Sequence, residues 1–270
     1  MKVFISADME GISGIAKAAW TESDDNDFAR ARELMTGDVN AAIQGCLDAG
    51  AEGIWVKDAH GGADNILIEK LLAPARLIQG WGHADRMMEG IDASFDAAML
   101  VGYHARVMTE GGTISHTMTG QTRGLWYNGV EIGESGISAA HAGAFGVPLA
   151  FVSGDEALCR EIAEVLGPQV ATAAVKSAYC RECVRMLPLD EARGLIREGA
   201  YAGLKGIVPM PPYVPTPPIE LRYQFQTKRQ AAKAALVPTV EQVDDITIKA
   251  QVADGLAAAN LVSVLLDVAR

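Results

Sequence analysis

The chain has 270 residues, a formal net charge of −11 and 49% apolar residues, enough for an ample core in one large domain or two smaller ones. An acidic balance without a Lys/Arg-rich run excludes nucleic acid as an expected partner. No stretch offers the roughly 18 uninterrupted apolar residues of a membrane span.

In chain order, residues 2–7 read as a buried strand that stops at Asp8 and Glu10. Alternation along an extended chain puts these two carboxylates on one face, where they repel unless a positive group stands between them. Reaching these acids so early leaves no room for a secretory h-region, and the cytoplasm is the expected compartment. Residues 11–27 read as a loop whose acids (Glu22, Asp24, Asp25, Asp27) form a solvated cluster. From Phe28, apolar residues recur at three- and four-residue steps through Cys46, predicting a helix ended by Gly50. A second strand over 53–56 closes a β-α-β unit, the building block of parallel sheets. It runs into Asp58 and His60, which share a face by the same alternation. A third strand over 97–103 finishes on His104.

A Gly-rich lead then reaches His116, and Asn128-Gly129 predicts a tight hairpin turn. Gly133-Glu134-Ser135-Gly136 opens a small-residue helix through 144. Strand, helix and strand follow over 147–153, 155–166 and 170–175. After residue 188 come a helix (189–204), a Pro-rich connector, an alternating strand (219–225), a helix (228–236), two short strands and a terminal helix. The expected fold is α/β, a mainly parallel sheet with flanking helices over 1–188, plus a smaller C-terminal α+β domain over 189–270. Cys46 and Cys159 fall inside helical patterns as core residues. Cys180 and Cys183 form a lone C-x-x-C with no second pair to complete a zinc site.

Three strand ends thus carry acids or imidazoles at the edge where open α/β sheets bind ligands. Asp8, Glu10, His60, His104 and Glu134 are the metal candidates, and mixed imidazole and carboxylate donors suit zinc, with manganese or cobalt as substitutes. Five such groups suit a pair of ions ~3.5–4 Å apart that activate a shared water for hydrolysis. Taken singly, each has a plainer role: a core histidine, a helix N-terminal acid, a loop cap. Their clustering is what points to a metal. His116 is the candidate proton-transfer group. Asp58 is placed to hydrogen-bond a ligand histidine and fix its tautomer. His83 and His141 have no spacing that recommends them and read as structural.

Ser6-Ala7-Asp8-Met9-Glu10-Gly11 resembles the S-x-D-x-E-G signature of the zinc-dependent D-aminopeptidases associated with bacterial dipeptide-transport operons. The resemblance continues through Asp58-Ala59-His60, Val101-Gly102-Tyr103-His104-Ala105, Ser115-His116, Gly133-Glu134-Ser135-Gly136 and Ala173-Ala174-Val175-Lys176. It implies two zinc ions per subunit held by Asp8, Glu10, His60, His104 and Glu134, with Asp8 bridging, and His116 as the catalytic residue. It also implies removal of N-terminal residues, preferentially D-amino acids, from short peptides, and a homo-oligomer, with a decameric ring as the candidate form.

The expected reaction is attack of an activated water on the first peptide carbonyl, with His116 exchanging protons and Glu10 or Glu134 helping to anchor the free amine. Two rivals stand beside it. One is a dinuclear hydrolase of L-peptides or other amides, and the other is a dipeptide-binding protein that grips its ligand through the metal without cleaving it.

Overall fold

A computed structural model describes residues 1–82, 86–207 and 210–270. The first strand, β1 (Lys2–Ala7), is buried almost throughout, as its apolar run requires. α1 (Phe28–Asp48) buries the periodic residues Met35, Val39, Ile43 and Cys46, and Gly50 turns the chain out of it with φ of +91°. β2 (Gly53–Asp58) lies parallel to β1. β3 (Arg76–Ile78) adds to the outer edge of β2. At three residues it is too short to show a strand period in the sequence. β4 (Ala97–Tyr103) pairs with the opposite side of β1.

The Asn-Gly hairpin joins β5 (Thr122–Tyr127) to β6 (Val130–Glu131), with φ of +50° at Asn128 and +81° at Gly129. Two successive left-handed residues match the right-handed twist of the flanking strands. α2 (Glu134–Ala144), β7 (Leu149–Asp155), α3 (Glu156–Val165) and β8 (Ala171–Cys180) follow. β8 runs beyond the strand expected over 170–175 and folds back into β9 (Cys183–Met186), which places Cys180 and Cys183 opposite each other. Polar, exposed residues at this hairpin hide its alternation. α4 (Leu189–Lys205), β10 (Ile219–Phe225), α5 (Lys228–Ala234), β11 (Val240–Gln242), β12 (Thr247–Val252) and α6 (Gly255–Ala269) complete the chain.

The first sheet has the order β3-β2-β1-β4-β7-β8-β9, parallel except for β9. Alternate residues of its central strands face opposite cores. Val3, Ile5, Met99 and Val101 pack with α1 and α4 on one side. Phe4, Ala98 and Leu100 pack with α2 and α3 on the other. The second sheet, β11-β12-β10-β5-β6, is antiparallel and shares a core with α5, α6 and the far face of α2. The division expected after residue 188 is crossed in both directions. β5 and β6 precede it yet belong to the second sheet, while α4 follows it yet packs on the first. Among the described residues no helix is long and apolar enough to cross a membrane. The order β2-β1-β4 makes the β1/β4 boundary a topological switch point, where the loops after adjacent strands part and leave a crevice.

At that crevice the chain segments approach closely. Gly102 has φ of +73°, and a Cβ there would stand 2.4 Å from the Asp8 carbonyl oxygen. Gly102→Ala should therefore destabilise the protein by about 2 kcal/mol or more through overpacking and left-handed strain. Gly120→Ala, with nothing within 4 Å of its Cβ position, should be nearly neutral. Denaturant midpoints of the two variants check the contrast, and equal midpoints would refute it.

Candidate metal centre

The ends of β1, β2 and β4 are held side by side by ladder bonds that continue past the strands. Asp8 N donates to Val101 O at 2.9 Å, Gly11 N to Gly102 O at 2.7 Å and Ala59 N to Ala7 O at 2.8 Å. This brings Asp8, Glu10, His60 and His104 into one crevice. Met9, between the two acids, points into the core, so alternation aims both carboxylates the same way. Glu134 enters from the first turn of α2, where the positive end of the helix favours a carboxylate.

All five groups meet. His60 Nδ1 lies 3.1 Å from Asp8 Oδ1 and 3.0 Å from Glu10 Oε2. His104 Nε2 lies 3.5 Å from Asp8 Oδ2 and 3.4 Å from Glu134 Oε1. His116 joins them, its Nε2 3.6 Å from Glu134 Oε1 and 4.0 Å from Glu10 Oε1, and its ring stacks on His104 with centroids 4.1 Å apart. His116 is 22% exposed, whereas Asp8, Glu10, His104 and Glu134 are buried. His141 stacks on Phe145, the residue that follows α2, and His83 falls outside the described residues.

Each of these three imidazoles has its other nitrogen committed to a backbone carbonyl. His60 Nε2 donates to Thr21 O at 3.0 Å, His104 Nδ1 to Ala105 O at 3.0 Å and His116 Nδ1 to Ile114 O at 3.0 Å. A carbonyl only accepts, so the proton of each neutral ring sits on that side and the lone pair faces the carboxylates. A lone pair facing an anion calls for a cation between them. The fit to a metal rests on this donor set and on three buried cluster atoms that find no hydrogen-bond partner among the described residues: Asp8 Oδ2, Glu10 Oε2 and His104 Nε2.

Titration behaviour points the same way. Burial, then the adjacent Glu10 charge, pushes Asp8 up to about 7. Burial opposes the charge on Glu10 as well, but His60 and His116 hold it well below the usual carboxylate range. His60 and His104, disfavoured as cations by burial, are nonetheless raised well above ordinary histidine by Glu10 and Glu134 respectively. Without a metal, the cluster holds protons in its place.

Residues outside the cluster fix it, and several gave no signal in the sequence. Asp58 does not bond a ligand histidine ring. Its carboxylate accepts from Asn65 N at 2.6 Å, Asn65 Nδ2 at 2.8 Å and Ile66 N at 2.7 Å, and Asn65 Nδ2 also reaches His60 O at 2.7 Å. Asp58 thus holds the His60 loop through its backbone, because the turn after β2 brings amide donors closer than any ring. Lys176, at the end of the Ala-Ala-Val run in β8, is buried, and burial pushes its amine down to about 8. Its Nζ donates to the carbonyls of Glu10, Ile12 and Ile15 at 2.6, 2.8 and 2.8 Å, pinning the loop that carries Glu10. Asp155 caps α3 and accepts from Thr113 N at 2.6 Å, anchoring the segment that leads to His116. Glu161 accepts from Ser135 Oγ at 3.1 Å and Arg106 N at 2.8 Å, holding the start of α2. The cluster forms the floor of a cavity of about 890 Å³ walled by Glu22, Trp81, Arg86, Met118 and Arg181 among others.

An imidazole–carboxylate cluster at the switch point of such a sheet defines a candidate metallohydrolase. A family model described as D-aminopeptidase matches residues 1–264, and the chain belongs to that family. A D-aminopeptidase of Bacillus subtilis (strain 168) is 34% identical over 270 residues, covering 100% of this chain and 98% of the relative. A solved structure described as the Zn-dependent D-aminopeptidase DppA from Bacillus subtilis, a self-compartmentalizing protease, matches with a TM-score of 0.96. It is 33% identical, and the match covers 100% of this chain and 98% of that one.

Two measurements test this description. Zinc must displace the protons held by Asp8 (about 7), His60 and His104 (both above ordinary histidine), so its affinity should fall as pH falls from 8 to 6. Calorimetry in buffers of different ionisation enthalpy should record proton release, and a pH-independent affinity would contradict the cluster's charge balance. Lys176→Met leaves three buried carbonyls without a donor and should cost on the order of 3 kcal/mol. It should also weaken zinc binding, and unchanged zinc affinity in the folded variant would remove Lys176 from any positioning role.

Proposed function

We propose that this chain is a zinc aminopeptidase that removes the N-terminal residue, a D-amino acid by preference, from short peptides at a two-zinc site. Asp8 carries the argument for two ions. Its Oδ1 faces His60 at 3.1 Å and its Oδ2 faces His104 at 3.5 Å, so one carboxylate serves two lobes. Glu10 completes the His60 lobe and Glu134 the His104 lobe. Zinc held by these five residues supplies Lewis acidity at the carbonyl and lowers the pKa of a bound water towards neutrality.

The protein's own groups do the rest. His116, more exposed than the other cluster members and with its proton on Nδ1 fixed by Ile114 O, presents Nε2 to the cavity. From there it takes a proton from the attacking water and returns one to the departing amine. Its stacking on His104 orients the ring, and the buried walls around Asp8 and Glu134 exclude bulk water. Glu10 and Glu134 keep negative charge beside the substrate's free ammonium group.

The likeness to a self-compartmentalizing relative over nearly the full length of both chains supports a closed homo-oligomer, with a decameric ring as the form to test by light scattering. Four free cysteines fit a reducing cytoplasm.

D-alaninamide and L-alaninamide, assayed before chelation, after it and after zinc is restored, test the reaction. Zinc-restored cleavage of the D-form is expected. Loss of neither activity on chelation would end the metallopeptidase reading. His116→Ala should keep its zinc by metal analysis yet lose about 10²–10⁴-fold in kcat; normal turnover would remove His116 from proton transfer.

A further inference from the structure

The cavity above the cluster has acids on its floor and arginines on its wall. Arg86, Arg181 and Arg270 all line it, but they are not equally available. Arg86 donates to Ser263 Oγ at 2.7 Å and pairs with Asp267 at 3.1 Å. Arg270 stands 3.5 Å from the same Asp267. Among the described residues, no carboxylate lies within ion-pair distance of Arg181. Its neighbour Glu182 is turned away to accept from Ala18 N at 3.0 Å.

Arg181 occupies the tip of the β8–β9 hairpin and is clamped to the segment that carries His116. Ile114 N donates to Arg181 O at 3.0 Å, and Arg181 Nη1 donates to Ser115 O at 2.6 Å. The guanidinium therefore sits one peptide unit from His116 and lines the cavity, with further N–H donors beyond the one bonded to Ser115 O.

We propose that Arg181 receives the terminal carboxylate of a short peptide substrate. The proposal rests on the aminopeptidase reading and deepens it. A short peptide is a zwitterion whose ammonium end is cleaved at the cluster. In this reading His116 returns a proton to the departing amine, which puts the released residue beside the segment to which Arg181 is clamped. In a protein of net charge −11, with carboxylates on the cavity floor, a substrate carboxylate needs a local cation to enter. Among the described residues the fork bonds one backbone carbonyl, and its planar pair of nitrogens suits a two-point grip on a carboxylate. The grip favours free peptide acids over peptides blocked at that end.

D-alanyl-glycine and D-alanyl-glycinamide differ only at the terminal group and are the probes. The zinc-loaded wild type should prefer the acid by about 10- to 100-fold in kcat/KM, mostly through KM. In Arg181→Gln that ratio should fall to about one, and Arg181→Lys should retain part of it. Because both substrates meet the same variant, a general disturbance of the His116 segment cancels from the ratio. Calorimetric affinities of the same two compounds are measured alongside. Equal rates and affinities in the wild type, or an acid preference that survives Arg181→Gln, would overturn the inference while leaving the peptidase reading intact. If neither compound is cleaved but the acid binds more tightly in an Arg181-dependent way, the inference stands and the peptidase reading fails.

Discussion

Taking three carboxylates out of water in one cluster with three imidazoles is the constraint around which this protein is arranged. Asp8 and Glu10 come from the end of β1 and Glu134 from the start of α2, and burial and mutual repulsion oppose their ionised forms. Only compensating charge makes the arrangement tenable, and the three imidazoles are oriented to leave room for it. Their outer nitrogens are fixed by the carbonyls of Thr21, Ala105 and Ile114, so the inner ones cannot turn away. The polar groups around the site act on backbone rather than on rings. Lys176 gathers three carbonyls beneath the Glu10 loop, Asp58 gathers amides beneath His60, and Asp155 holds the approach to His116. Fixing loops by their backbone leaves the inward-facing carboxylate and imidazole atoms free of competing hydrogen bonds from these groups.

The two sheets contribute differently. The parallel sheet supplies the crevice at its switch point and most of the cluster. The antiparallel sheet supports α2 from behind. One face of α2 packs Ala139 and Ala142 into the core of the first sheet, and another packs Ile137 and Ala140 into the core of the second. Small residues let both cores approach closely, and Gly143, whose Cβ would stand 2.0 Å from Tyr213 O, marks how close. Glu134 is thereby located by both halves of the molecule.

Strand ends are legible in the sequence because apolar runs mark them, and Asp8, Glu10, His60 and His104 are grouped by lying one to three residues past β1, β2 and β4. The positive-φ hairpin at Asn128-Gly129 was legible for a chemical reason: few residue pairs accept that turn. The sheet membership of β5 was not legible, because strand partners 90 or more residues apart leave no local trace. β3 and β9 were too short or too exposed for a pattern. Alternation gives the face of Asp58 but not its distances, so its bonding to amides instead of to a ring is not legible. Lys176 does carry a signal in the sequence: a charge closing an apolar run in a central strand is buried, and a buried lysine must find acceptors.

The long separation between β5 and β10 also bears on synthesis. All six cluster residues, His116 included, lie before residue 135, whereas β10 begins at Ile219 and Lys176 lies between. At about 5–20 residues per second, the ribosome needs roughly 4–17 s to add the intervening stretch. During that interval the nascent chain carries a complete set of acids and imidazoles without the strand that backs them. The full support of the cluster, with α2 backed by the antiparallel sheet, therefore belongs to the finished chain.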